Sequence, residues 1–212
     1  VCGGIGMSYL FDNLDLVAEY FWEHLRLTFS SLGIALCFAV PIGLFIAKFR
    51  KLHMPVTGVL GVIYTIPSMA LYAALIPYTG LGVTTAMIGL VAYAQMILVR
   101  NVHAAITGID PAMIEAAKGM GLNAWQIIFK IELPLAVPVV LAGIRIATVS
   151  IISIGTVAAW IGGGGLGRLI FQGLNHDHIG KILAGTISIA VLAIGMDLLF
   201  RLLEKLLGPK TA

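Results

Sequence analysis

Between Leu10 and Arg26 apolar and charged residues alternate with a helical period. Leu14, Val17, Phe21 and Leu25 share one face, and Asp12, Asp15, Glu19, Glu23 and Arg26 share the other, a spacing near 3.6 residues. A helix with one apolar and one charged face predicts a segment lying in a membrane interface. Five long apolar runs follow, at Leu27–Ala47, Val56–Ile76, Leu81–Val99, Leu135–Ile161 and Ile182–Leu203. Each is roughly long enough to cross about 30 Å of hydrocarbon. Pro41, Pro67 and Pro138 fall inside these runs, which membrane helices tolerate where neighbours satisfy the freed carbonyls. The pattern predicts an all-α integral membrane protein with about five transmembrane helices. Its parts are an N-terminal segment over 1–26, a membrane domain over 27–207 and a tail over 208–212.

Composition supports lipid as the solvent. The 212 residues are 59% hydrophobic and 11% charged, where soluble domains carry about 25% charge. Mean hydropathy is +1.02. The net charge of +3 comes from few cations, set between apolar runs, and points to topology rather than to nucleic acid. Lys48, Arg50, Lys51, Arg100, Lys118, Lys130, Arg201, Lys205 and Lys210 fall on one side of a five-span arrangement. Only Arg26, Arg168 and Lys181 fall on the other, with Arg145 inside a span. The positive-inside rule then places the N-terminus outside and the C-terminus in the cytoplasm. Tyr78 and Trp160 are expected at the outer interface. Cys37, inside an apolar run, is expected to be a small buried hydrophobe. Cys2 precedes Met7, a natural start, so residues 1–6 read as an added segment.

The stretch from Gly108 to Pro134 breaks the apolar pattern on the cytoplasmic side. Asp110 before Pro111 is a helix-start signal, an N-cap acceptor followed by proline at the first helical position. Gly119 and Gly121 end that helix, and Asn123 with Gln126 forms a capping-box pattern for a second. The loop reads as helix, glycine turn, helix, with Pro134 at the start of the fourth span.

Its residues run Glu115-Ala116-Ala117, then Gly121 four places after the second alanine, then Ile131-Glu132-Leu133-Pro134. This resembles the cytoplasmic signature of permeases of ATP-binding-cassette (ABC) importers. Gly119-Met120-Gly121, Glu132-Leu133-Pro134-Leu135-Ala136, Ala142-Gly143-Ile144-Arg145, Ile66-Pro67-Ser68 and Ile161–Gly167 look like the osmoprotectant branch, which imports glycine betaine, choline, carnitine or related quaternary amines. Methionine-importer permeases carry a similar glycine-rich segment and form the alternative. Four successive glycines stand at 162–165 where Gly-Ala-Gly-Gly is expected. The resemblance implies a coupling helix built on Glu115, Ala116, Ala117, Gly121, Ile131, Leu133 and Pro134. It implies as partners a cytoplasmic ATPase dimer, a second permease copy or homologous permease and an external substrate-binding protein. It implies no cofactor in this chain, ATP and Mg being held by the ATPase, and residence in the bacterial inner membrane.

Other residues carry weaker signals. Arg145 and Asp197 lie within spans, where charges face the bundle interior or a cavity, and are candidates to pair or to line a path. Tyr64, Tyr72 and Tyr93 are candidate ring faces for a quaternary ammonium. Asn175-His176-Asp177-His178 lacks further ligands at zinc-like spacing, and no metal site is expected. The Gly162–Gly167 run has no Walker lysine and follows a span rather than a strand, so it reads as a tight outer turn or gate. An integral membrane enzyme would need polar groups converging on one cavity, and the five histidines do not. A secondary transporter would show repeated halves and intramembrane acids, and no repeat is visible.

Overall fold

The computed structural model describes residues 8–207. Residues 1–7, with Cys2, and the tail 208–212, with Lys210, lie outside the described residues.

The helix expected at the interface and the first span form one continuous helix, α1, Leu14–Lys48. At 1.5 Å per residue its 35 residues reach about 52 Å, well beyond the hydrocarbon. Its buried stripe runs Val17, Tyr20, His24, Leu27, Ser31, Ala35, Ala39, Gly43 and Ile46. The amphipathic segment therefore packs on its own protein as well as facing the interface. The lower part of this stripe is small, which lets α1 approach a neighbour closely. A Cβ added at Gly43 would come within 2.6 Å of Val102. Cys37 is exposed, contrary to its expected burial. It lies on the outward face with Ile34 and Phe38, because a helix apolar all round gives no sign of which face is buried.

The second span is broken. Helices α2 (Arg50–Thr65) and α3 (Ser68–Thr79) meet at 96°. Pro67 disfavours helical geometry in the residue before it, and Ile66 is extended at φ −65, ψ 130. The Ile66 carbonyl accepts a hydrogen bond from the Tyr93 hydroxyl, so the break carries its own satisfaction. Helix α4 (Val83–Thr107) is longer than the expected third span. It is the central element, packed against α1, α2, α3 and α7.

After α4 come α5 (Pro111–Gly119) and α6 (Ala124–Ile127), then a π-helical turn over Ile128–Glu132 and α7 (Leu133–Ala158). With a closing 3-10 turn, Ala159–Ile161, this makes one helical run of 38 residues from Ala124 to Ile161. Pro134 therefore does not separate loop from span. A proline ring clashes with the carbonyl four residues back in a regular helix, here that of Lys130, and the wider π-turn lies at that position. A short helix not anticipated from the sequence, α8 (Gly167–Asn175), precedes α9 (Ile179–Leu207).

The chain crosses in five passes if the bent pair counts as one. Two hydrogen bonds support that reading. Gly82, after α3, donates to the Ile161 carbonyl at the end of α7 (2.8 Å). Gly165, just beyond, donates to Glu23 on α1 (2.9 Å). The outer end of α1, the end of α3 and the end of α7 thus share one side. The loop between α4 and α7 and the end of α9 lie on the other.

Candidate functional site: a docking loop, a charged tie and a glycine-rich clasp

The loop between α4 and α7 is built by local capping. Asp110 Oδ1 accepts from the Ala112 amide at 2.9 Å, with Pro111 opening α5. Gly121 takes φ +81, a left-handed conformation that a side chain rarely adopts. Leu122 then donates back to the Ala117 carbonyl at 3.1 Å, closing the helix end. Asn123 and Gln126 exchange hydrogen bonds at 2.9 Å each, a complete capping box that starts α6.

Within this frame the signature residues divide. Ala117 is fully buried inside the chain, whereas Glu115, Ala116, Gly121, Leu133 and Pro134 are exposed and Ile131 is half-buried. Glu115 and Ala116 are thus on the open face of the loop, and Ala117 packs inward. Around them the loop exposes Met113, Met120, Trp125, Ile128 and Phe129, with the Trp125 and Phe129 rings stacked at 6.0 Å. A cluster of exposed large apolar residues on a loop marks an interaction surface.

Inside the membrane region Arg145 and Asp197 are brought together at 3.5 Å. The tie is larger than the sequence pairing. Arg145 Nε also lies 3.1 Å from Glu204 Oε1, and Arg201 lies 2.8 Å from Asp197. Two cations and two carboxylates thus neutralise one another between α7 and α9. The missed members had a legible signal: Arg201 and Glu204 follow Asp197 by four and seven residues, on one helical face. Breaking a desolvated pair strands the remaining charge, so this cluster fixes α9 to the run that begins in the docking loop.

The three tyrosines do not act together. Tyr72 is fully buried in the core, its ring against Gly89. Tyr93 is 4% exposed and its hydroxyl serves the break at Ile66. Tyr64 alone keeps an exposed ring, edge-to-face with Tyr93 at 6.0 Å. Of the three candidates, only Tyr64 is exposed in this conformation.

At the opposite end the glycine run, expected to be a tight outer turn or gate, forms a clasp. Glu23 accepts from the Gly165 amide and pairs with Arg168 at 3.3 Å, and Arg168 sits 5.5 Å over the Tyr20 ring. His24 is fully buried, with Nε2 3.1 Å from the Ile152 carbonyl. Gly165 has φ +78, and an added Cβ would lie 2.7 Å from His24 Nδ1. The segment Asn175–His178 is a helix cap: Lys181 donates to His178 Nδ1 at 3.3 Å, and among the described residues no group could hold a metal.

The fold is a bundle of membrane-length helices with a structured loop at one end and a glycine clasp at the other. Residues 39–211 match the family described as binding-protein-dependent transport system inner membrane component. The chain is 37% identical to the osmoprotectant import permease protein OsmW of Salmonella typhimurium, over 96% of this chain and 97% of that protein. It is 38% identical to the carnitine transport permease protein OpuCB of Listeria monocytogenes, over 89% and 87%. Inward-facing structures of the MetNI methionine ABC transporter share its fold, with a TM-score of 0.79 at 23% identity over 92% of this chain and 97% of that one. The chain belongs to the binding-protein-dependent transport family and is an inner-membrane permease subunit of an ABC importer.

Arg145→Leu is expected to strand Asp197 and Glu204, lowering the melting temperature of the detergent-purified chain by several degrees, with Arg145→Lys intermediate. Thermal unfolding of the two variants beside the parent checks this; an unchanged leucine variant contradicts the tie.

Proposed function

We propose that this permease carries an osmoprotectant of the quaternary-amine class, such as glycine betaine, carnitine or choline, into the cell by alternating access. Support for the substrate class comes from the relatives, among them osmoprotectant and carnitine permeases matched over most of both chains. The likeness to the methionine transporter is one of fold. The N-terminus faces outward and the C-terminus and docking loop face the cytoplasm, as the excess of cations on the loop side requires. ATP and Mg are bound by a separate ATPase dimer that hydrolyses the nucleotide. A second permease copy or homologue completes the path, and an external binding protein delivers the solute to the clasp side.

The observation that carries the mechanism is the unbroken helical run from Ala124 to Ile161. Its first turns bear the exposed Trp125 and Phe129, and its far end meets Gly82 and the glycine clasp. Glu115 and Ala116 seat the loop on the ATPase, the small side chain giving close approach and the carboxylate a charge-assisted contact. When the ATPase dimer closes, the displacement enters at this loop and the run transmits it. The partner then biases outward-facing against inward-facing states through that one contact.

Two outcomes follow. Cysteines placed at Lys51 and Gly119 in a cysteine-free background should react with an impermeant thiol reagent only from the cytoplasm, and one at His176 only from outside; labelling of all three from one face contradicts the orientation. Reconstituted with ATPase and binding protein, Ala116→Trp and Gly121→Val should insert and assemble as stable chains. They should nonetheless lose ATPase binding or lower uptake per ATP hydrolysed by about tenfold or more. Parent-like coupled uptake by both would show that the motor contact lies elsewhere.

A further inference from the structure

A hollow of about 400 Å³ opens on the face where α2, α4 and α7 meet, lined by Tyr64, Met96, Arg100, Asn101, Ala104 and Ile146 among others. Its volume falls in the range of small-molecule sites, about 300–1,000 Å³. Nothing in the fold or the docking mechanism uses it.

Arg100 is the unusual member. It lies within the candidate span Val83–Thr107, two turns from its end, with an exposed side chain. Among the described residues no carboxylate approaches its guanidinium within 4.0 Å. This contrasts with Arg145, which has two carboxylates. A cation this near the cytoplasmic end of a membrane helix reaches for water or an anion rather than lipid. Beside it Asn101 is held in place: Nδ2 donates to the Ile97 carbonyl at 2.8 Å. Helix α7 crosses so close that a Cβ at Gly143 would come within 2.4 Å of the Asn101 side chain. That leaves Asn101 Oδ1 and one N–H uncommitted.

The other end of the hollow is aromatic. Tyr64 is 42% exposed and sits level with Tyr93, whose ring it meets edge-to-face. Tyr93 and Arg100 are seven residues apart on α4, about 10 Å along the axis. The Tyr64 and Arg100 side chains line the same hollow. Tyr64 also stands two residues before the break at Ile66. Discontinuous membrane helices are where transporters place solute sites.

We propose that this hollow is a transit site for a zwitterion with a quaternary ammonium at one end and a carboxylate at the other. The Tyr64 ring face takes the quaternary cation, which offers no hydrogen bond and is held by the ring's quadrupole. Arg100 takes the carboxylate, in the bidentate geometry that its planar fork allows, and Asn101 adds a hydrogen bond. The two charged ends of the solute are thereby kept on opposite sides of the hollow, with like charges apart. The site rests on the solute class proposed above and adds to it a preference for carboxylated amines over choline.

The test uses the whole importer, with ATPase and binding protein, in nanodiscs without nucleotide. Cys2 and Cys37 are replaced by serine, and Ala104→Cys supplies one thiol in the hollow. Saturating glycine betaine is expected to slow maleimide modification of that thiol by about tenfold, and choline much less. The protection should disappear in Arg100→Gln and Tyr64→Ala, and persist in part in Arg100→Lys and Tyr64→Phe. Co-purification of the ATPase shows that each variant has assembled. Protection that survives both disruptive variants, or choline protecting as well as glycine betaine, overturns the site. Uptake of radiolabelled glycine betaine by the same parent in proteoliposomes separates the two claims. Uptake without protection removes the transit site and leaves the proposed function standing, whereas neither uptake nor protection removes both.

Discussion

A backbone amide or carbonyl left without a partner in hydrocarbon costs several kcal/mol. The structure answers this constraint wherever the chain departs from a plain helix. At Ile66-Pro67 the second span breaks by 96°, and the Tyr93 hydroxyl takes the freed carbonyl. At Pro134 a π-turn widens the run instead of ending it. At the glycine segment, Glu23 accepts one loop amide and Ile161 accepts that of Gly82. The break at Ile66 and the glycine segment are each held by a named partner on another helix. The rigidity that transport requires follows from the same bonds.

The run from Ala124 to Ile161 is the longest consequence. Because its hydrogen bonds continue through the π-turn, loop and span form one continuous helical run, the basis of the proposed lever. The Arg145 cluster adds α9 to that lever, and its four charges cancel. The clasp at the far end is held by one ion pair, one amide bond and the fit of Gly165 on His24. Glu23 and Arg168 are each about a third exposed (34% and 38%), where solvent screens an ion pair.

What the sequence disclosed follows the physics of each signal. Apolar runs reveal spans because length and hydropathy suffice, and local capping reveals the docking loop, since Asp110, Pro111, Asn123 and Gln126 act on neighbours in the chain. Orientation within the bundle is a different matter. Cys37, expected inside, is exposed, and Tyr72, a candidate ring face for a ligand, sits in the core. A span is apolar on every side, so periodicity cannot show which face meets protein. Small residues were the better guide: Ala35, Ala39 and Gly43 mark the α1–α4 seam. The partition of the Glu115-Ala116-Ala117 signature also needed the fold, because burial of Ala117 depends on how the glycine turn folds back. The break at Pro67 and the continuity at Pro134 show that proline alone does not decide a helix's fate. The neighbours that satisfy it do.

The central claim is that the docking loop and the fourth crossing move as one body. Pulsed electron spin resonance on the assembled importer, with spin labels at Gln126 and Trp160 of one permease, measures this directly. The labelled sites are 34 residues apart, about 51 Å along a helix. The account predicts that this distance stays constant between nucleotide-free and ATP-bound states while, in a second sample, the distance from a Trp160 label to a label on the accompanying permease changes. A Gln126–Trp160 distance that shifts by about one helical turn or more, about 5.4 Å, would show the run yielding at its π-turn and would contradict the lever.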